Sequence, residues 1–227
     1  EGFDIVIGSP PYIKEYENKK AFDGFRQSPY YKGKMDIWYG FACKGIDYLN
    51  TNGIICFIAQ NNWITSAGAS ILRNKILENT ELNTFVDFVD FEIFESASIQ
   101  TMIFICQKVE KPRKEYPTRV SILKNKNITK SELVDFLNFN LTNDYGIKEI
   151  FKLKPENYIG KTIHFNQSNI ENILEKIEEK GAFKLYDSEV AQGIVPNPDI
   201  VNSKNISLID NNKIQKYNIN IGDGVFV

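Results

Sequence analysis

The chain has 227 residues, 42% of them hydrophobic and 13% aromatic, which is enough apolar matter for a sizeable core and excludes a disordered polymer. A formal net charge of -2 excludes a surface coated in positive potential, so any contact with nucleic acid must come from a local patch. No apolar run reaches the roughly 18 residues of a membrane helix, and no signal-peptide pattern opens the chain.

The first element is Phe3-Asp4-Ile5-Val6-Ile7-Gly8, a β-branched apolar run that predicts a buried parallel strand. Ser9-Pro10-Pro11-Tyr12 then forces a turn, because neither helix nor strand continues through two prolines. Open α/β sheets bind ligands beyond the carboxyl ends of their parallel strands. A hydroxyl, two rigidly held carbonyls and an aromatic face placed there suit a flat, polar ring. Residues 13–34 mix Tyr16, Phe22, Phe25, Arg26, Tyr30, Tyr31, Lys32 and Lys34 without a period. That predicts a loop or broken helix over the site, built either to meet phosphates and bases or to pack its own aromatics.

Asp36 to Leu49 reads as an amphipathic helix and Gly53 to Ala59 as a second buried strand, with Gln60-Asn61-Asn62-Trp63 at its carboxyl end. Ser66 is the expected cap of a helix carrying Ile71, Leu72, Ile76 and Leu77. Leu82 to Phe88 and Ile99 to Gln107 are the third and fourth strands, so the expected fold is α/β with a doubly wound sheet. Between Lys108 and Lys126 the basic residues Lys111, Arg113, Lys114, Arg119 and Lys124 gather around Pro112 and Pro117, predicting a linker with a basic face. Thr129 or Ser131 starts a short helix to Leu137, and Ile170 to Ile177 is another.

Cys43, Cys56 and Cys106 stand far apart without metal spacing, which predicts buried free thiols in a reducing cytoplasm. The single histidine, His164, has no partner ligand, and no metal site is expected. A metal-nuclease reading of Pro198-Asp199 fails, because no Glu follows at the required spacing.

The order of features resembles the TaqI-like adenine methyltransferases and their type IIG restriction relatives. The carriers are Ser9-Pro10-Pro11-Tyr12 after an apolar strand, Gly53-Ile54-Ile55 with Asn61-Asn62-Trp63 beyond it, the Asp87-Phe88 pair, and Phe94 before a late strand. The resemblance implies the C-terminal half of a Rossmann-like S-adenosylmethionine-dependent methyltransferase sheet at 1–108. A basic linker and connecting region at 109–165 and the start of a target-recognition domain at 166–227 would follow. It implies double-stranded DNA as partner and assigns catalysis to Ser9, Pro10, Pro11 and Tyr12, with Tyr12 and Phe94 stacking on the flipped base. It also implies that the Gly-rich cofactor loop belongs ahead of Phe3, making the chain a C-terminal fragment without that motif and inactive alone.

An exocyclic amine is a weak nucleophile because its lone pair is delocalised into the ring. Acceptors aimed at both amine protons stabilise the nitrogen as it becomes tetrahedral and positive. The side chain at position 9 and the Pro10 carbonyl are the acceptors that the resemblance implies. Ser9 departs from the Asn or Asp of adenine enzymes, and this keeps N4-cytosine methylation open beside N6-adenine. A release-factor glutamine methyltransferase and a non-catalytic DNA-recognition subunit are the readings from other classes.

Overall fold

The computed structural model describes residues 2–94, 99–125, 127–138 and 145–165, together with helical or strand positions 173, 176–177, 180, 207–208, 214–215, 218–219 and 225–226. The chain divides into two units, Glu1–Gln167 and Ser168–Val227. In the second unit, Ser207–Leu208 pairs antiparallel with Val225–Phe226, and Ile214–Gln215 with Asn218–Ile219.

The first unit alternates strands and helices: β1 (Phe3–Gly8), α1 (Trp38–Tyr48), β2 (Leu49–Gln60), α2 (Ser70–Asn79), β3 (Thr80–Asp87), β4 (Thr101–Lys108), β5 (Tyr116–Leu123), α3 (Lys130–Leu137) and β6 (Gly146–Leu153). The strands form one six-stranded sheet in the order β1-β2-β4-β3-β5-β6. β1, β2, β3 and β5 run parallel, while β4 lies antiparallel between β2 and β3, and β6 antiparallel beyond β5. This is an α/β, Rossmann-like mixed sheet with flanking helices.

Alternation along the strands decides which face each helix covers. Ile55, Phe57 and Ala59 of β2 and Met102, Phe104 and Cys106 of β4 are buried. A Cβ on Gly45 of α1 would stand 2.9 Å from Ile55 Cδ1 and 3.3 Å from Val6 Cγ1, so α1 seats its backbone directly on this face. Phe104 is the hub, with ring centroids of Trp63 at 5.7 Å, Phe57 at 5.9 Å and Trp38 at 6.5 Å. On the opposite face Val86, Phe88, Leu123 and Phe136 of α3 make a second cluster. Thr129 caps α3 with a complete capping box, its hydroxyl accepting from the Glu132 N–H and its own N–H bonding Glu132 Oε2 at 2.7 Å.

Several expectations are corrected. Among the described residues β1 pairs in parallel with β2 alone, and it is not buried in this structure: Ile5 is 68% and Ile7 77% exposed. An apolar run states that a strand has an apolar face, not that the face is covered or that both edges are paired. The stretch taken as a basic linker contributes β5 and β6 to the sheet, and Pro117 sits at the start of β5 before its pairing with β3 begins. Arg113 from this stretch grips Glu81, its Nη2 2.6 Å from Oε2. Ser66 makes no side-chain cap, because a short 3-10 turn at Ala67–Ala69 intervenes before α2.

Residues 13–34 fold as a broken helix with 3-10 turns at Lys19–Phe22 and Phe25–Gln27. They pack their own aromatics, Phe22 to Phe25 at 6.0 Å and Phe25 to Tyr31 at 6.4 Å. The three cysteines are free, Cys43 and Cys106 buried and Cys56 half-buried. Ile173 and Ile177 of the predicted late helix are helical, while the stretch from Leu185 through Pro198 lies outside the described residues.

The two sheet faces differ enough to be measured. Ile5→Thr and Ile7→Thr should each change unfolding stability by no more than about 0.5 kcal/mol. Ile55→Ala, on the helix-covered face, should cost about 2–5 kcal/mol in urea titrations. Equal losses at the three positions would mean that something covers β1.

Candidate active site

β1 ends at Gly8, and the chain turns over β2. Ser9 and Pro11 are exposed, Pro10 is buried, and Tyr12 is half-buried against the core. The Tyr12 hydroxyl donates to the Ile58 carbonyl of β2 at 3.1 Å, which moors the motif to the neighbouring strand. Burial pushes the Tyr12 phenol up from its ordinary value, and the hydrogen bond with Ser9 offsets part of that rise.

The exit from the motif is held by Asp36, which is 3% exposed. Its Oδ1 accepts from the Ile13 N–H at 3.0 Å and the Trp38 N–H at 3.3 Å, tying the motif to the first turn of α1. The Ile37 N–H donates to the Ile13 carbonyl at 2.9 Å and completes the tie. Burial raises the Asp36 carboxyl, and these backbone bonds oppose the rise.

At the carboxyl end of β2, Asn61 is fixed twice. Its N–H donates to the Gln100 carbonyl at 3.2 Å, and its Nδ2 donates to Asp87 Oδ1 at 3.1 Å. Asp87 Oδ1 also takes the Val89 N–H at 2.9 Å, which holds this β-branched residue at φ 50° in the left-handed region. Asn62 Oδ1 accepts from the Tyr39 hydroxyl at 3.3 Å. Gln60 and Thr101 are register partners, and Gln60 Oε1 and Thr101 Oγ1 are buried acceptors without a bond.

Ser9, Pro10 and Tyr12 are therefore assembled together, with Pro11 on the outer side of the turn. Phe94 stands apart from them on the β3–β4 connection, half-buried after Ile93 of the second cluster. β1 and β3 are three strand spacings apart, about 14 Å. His164 is exposed, with Nε2 2.7 Å from Thr162 Oγ1, and takes no part.

Two residues that matter here were not singled out by the sequence reading. Asp36 carried a signal, an acid just ahead of an apolar-periodic helix. Arg73 did not, being a charge placed three residues before core Ile76. It is 4% exposed and donates to the carbonyls of Trp63 at 2.7 Å, Lys161 at 3.0 Å and Ser66, clamping the segment that carries Asn62 and Ser66. Among the described residues, no group of three or more His, Cys, Asp or Glu could hold a metal, and no helix is long and apolar enough to cross a membrane.

The family model described as Eco57I restriction-modification methylase matches residues 1–94. The type II methyltransferase M.XhoI of Xanthomonas vasicola is 30% identical over 124 residues, 52% of this chain and 22% of that protein. M.HincII of Haemophilus influenzae is 26% identical over 107 residues, 45% of this chain and 21% of that protein. The chain thus spans about a fifth of the length of these relatives. Among solved structures, the type IIG restriction endonuclease BpuSI aligns with a TM-score of 0.49 at 19% identity, over 78% of this chain and 22% of that one. A type I methyltransferase subunit from Streptococcus thermophilus aligns at 0.46 and 22% identity, over 68% and 35%.

The family match corrects the resemblance read from the sequence. The matching family is the Eco57I methylases, not the TaqI-like group, and the match lies on the N-terminal 94 residues. A C-terminal fragment stripped of its cofactor motif is not what it describes.

Burial raises the Asp87 carboxyl above its ordinary range, with the Val89 and Asn61 bonds opposing. The folded chain therefore holds this proton more tightly than the unfolded chain does. The contribution to stability is full below about pH 4 and is lost as pH rises through the raised value. Asp87→Asn keeps an acceptor for Asn61 and Val89 and removes the buried charge. Its stability relative to wild type should rise between pH 4 and neutrality in urea titrations, and a pH-independent difference would contradict this account.

Proposed function

We propose that this chain is part of a DNA methyltransferase of a restriction-modification system, which transfers methyl from S-adenosylmethionine to the N6 amine of an adenine extruded from the duplex. The observation that carries the reading is Ser9-Pro10-Pro11-Tyr12 at the carboxyl end of a parallel strand, inside the region matched by the methylase family and moored through Tyr12 to Ile58. The Ser9 hydroxyl and the Pro10 carbonyl accept the two amine protons as the nitrogen gains positive charge, and the prolines hold those acceptors still. Tyr12 offers its ring to the extruded base, offsetting part of the stacking lost on extrusion. Phe94, which stands apart from the motif in this structure, acts as the second aromatic only if the β3–β4 connection moves toward the base.

S-adenosylmethionine supplies the electrophilic methyl group when bound. The described residues fit the amine side of the transfer, and none of them is assigned to hold the cofactor. Double-stranded DNA is the partner, residues 166–227 begin the target-recognition domain, and the three free thiols suit the reducing cytoplasm. N4-cytosine methylation is the second reading, favoured by Ser9, whose short side chain suits a smaller ring.

Mass spectrometry of nucleosides from DNA incubated with S-adenosylmethionine and the protein carrying this chain tests the proposal. N6-methyladenine is expected, N4-methylcytosine would establish the second reading, and the absence of either would overturn both. Ser9→Ala should slow transfer roughly a hundred- to thousand-fold by removing one acceptor. Ser9→Asn should preserve or raise the rate on adenine and reduce it on cytosine.

A further inference from the structure

Beside the motif, on the far side of the Ile13 tie, lies a cavity of about 190 Å³ whose lining is Met35 and the polar residues Lys14, Tyr16, Lys34, Asp36, Tyr39, Asn62 and Ser66. It is smaller than the roughly 300–1,000 Å³ that takes a drug-sized molecule, so it admits a single ring. No residue of the Ser9–Tyr12 motif lines it.

Its walls are built at some conformational cost. Gly33 and then Lys34 adopt φ of 78° and 49°, and the Lys34 N–H is anchored on Glu15 Oε2 at 2.9 Å. A side chain on Gly68 would put its Cβ 2.5 Å from the Lys34 carbonyl oxygen, so only glycine lets this wall close on the segment after β2. Tyr39 and Asn62 fix each other on another wall. Asp36, part of the lining, spends Oδ1 on two backbone N–H groups, yet its Oδ2 is buried with no hydrogen-bond partner among the described residues. A buried carboxylate oxygen without a donor is costly, and a ligand N–H would relieve that cost. At the rim, the Lys14 ammonium lies 5.7 Å from the Tyr16 ring centroid and 3.7 Å from Glu17 Oε1. Two lysines and an exposed tyrosine ring around one buried acceptor match a nucleotide, with phosphate outside, a ring to stack and an amine to donate inward.

We propose that this cavity is a second nucleotide subsite that takes a base bearing an exocyclic amine, with Asp36 accepting from the amine and Lys14 and Lys34 meeting the phosphate. The proposal rests on DNA being the substrate. It makes Asp36 a specificity determinant separate from the transfer site, disfavouring thymine, whose one Watson–Crick-edge N–H is flanked by two carbonyl oxygens that a carboxylate repels.

The test is titration of the full chain with dAMP, dCMP and dTMP, followed by ligand-observed NMR. Wild type should bind dAMP and dCMP about tenfold more tightly than dTMP, the scale of one good base-edge contact. Asp36→Asn keeps an oxygen for Ile13 and Trp38 and turns the orphan acceptor into a donor, so the preference should vanish or invert. Lys14→Ala with Lys34→Ala should weaken all three nucleotides alike. Should Asp36→Asn unfold, Ser66→Leu serves instead. The Ser66 carbonyl, not its side chain, holds Arg73. The side chain bonds Tyr39, so this variant should fill the cavity and abolish binding while a cooperative melting transition shows that the chain stays folded. Equal binding of dTMP and dCMP to wild type, or undiminished binding to Ser66→Leu, would overturn the subsite. These titrations need neither S-adenosylmethionine nor methyl transfer. Binding as expected by this chain, with no methylation by the protein that carries it, would refute the activity alone, and methylation by that protein without the binding preference would refute the subsite alone.

Discussion

The arrangement of this sheet depends on β4 running against its neighbours. It hydrogen-bonds to β2 along one side and β3 along the other, with Gln60 opposite Thr101 and Asp87 opposite Met102. Because β4 is antiparallel, its amino end lies among the carboxyl ends of β2 and β3. Gln100 is thereby placed to accept from Asn61 and to donate through Nε2 to Asp90 at 2.8 Å, while the Thr101 carbonyl takes the Phe88 N–H at 3.0 Å. A parallel strand at that place would start from the opposite edge and leave the two loops untied. The same strand carries Phe104 into the centre of the aromatic core, so the rigidity of the core reaches the edge where the site lies.

That edge is poorly optimised for stability alone. Asp36 and Asp87 are carboxyls whose burial works against their charge, Gln60 and Thr101 bury acceptors without bonds, and Val89 occupies a backbone region that β-branched residues avoid. Such departures from local consistency gather where a surface has been shaped for a ligand. Away from the edge several buried polar groups are paired, although the Tyr116 hydroxyl at the start of β5 is buried without a hydrogen-bond partner among the described residues. The Thr118 hydroxyl donates to the Leu82 carbonyl at 2.7 Å, the Thr80 hydroxyl to the Ile76 carbonyl at 2.7 Å, and Glu81 is held below the usual carboxylate range by Arg113.

The first four strands, the helices and the motif turn were legible because each rests on local pattern, whereas β5 and β6 were read as a linker. Apolar runs mark β1 to β4, and Thr129 with Glu132 marks the start of α3. What depended on pairing was hidden. Nothing in Ile99 to Gln107 states its direction, and nothing in Phe3 to Gly8 states which strand it pairs with, β2 alone among the described residues. Tyr116 to Leu123 was masked by Pro117 and by the charges around it, although Tyr116, Thr118 and Val120 alternate inward as a strand requires. Asp36 was in view as the opening of a helix, but its grip on Ile13 spans the loop in between and exists only in three dimensions.

The same folding reassigns the positive charge. The basic run after β4 suggested a face for phosphates, yet Lys108 Nζ donates to the Leu49 carbonyl at 2.6 Å and the Asp47 carbonyl at 3.2 Å, and Arg113 is committed to Glu81. These side chains tie loops together at the end of the sheet remote from the motif, where β2 begins and β4 finishes. Charge on the working edge comes instead from the segment after Tyr12, where Lys14 and Lys34 face one cavity and Arg26 is absorbed by Glu15 and Asp23. In a chain with a net charge of -2, attraction for a polyanion has to be this local, concentrated within a Debye length of roughly 10 Å at 0.1 M salt. The loop that packs its own aromatics is therefore also the one that brings Lys14 and Lys34 to the cavity beside the motif.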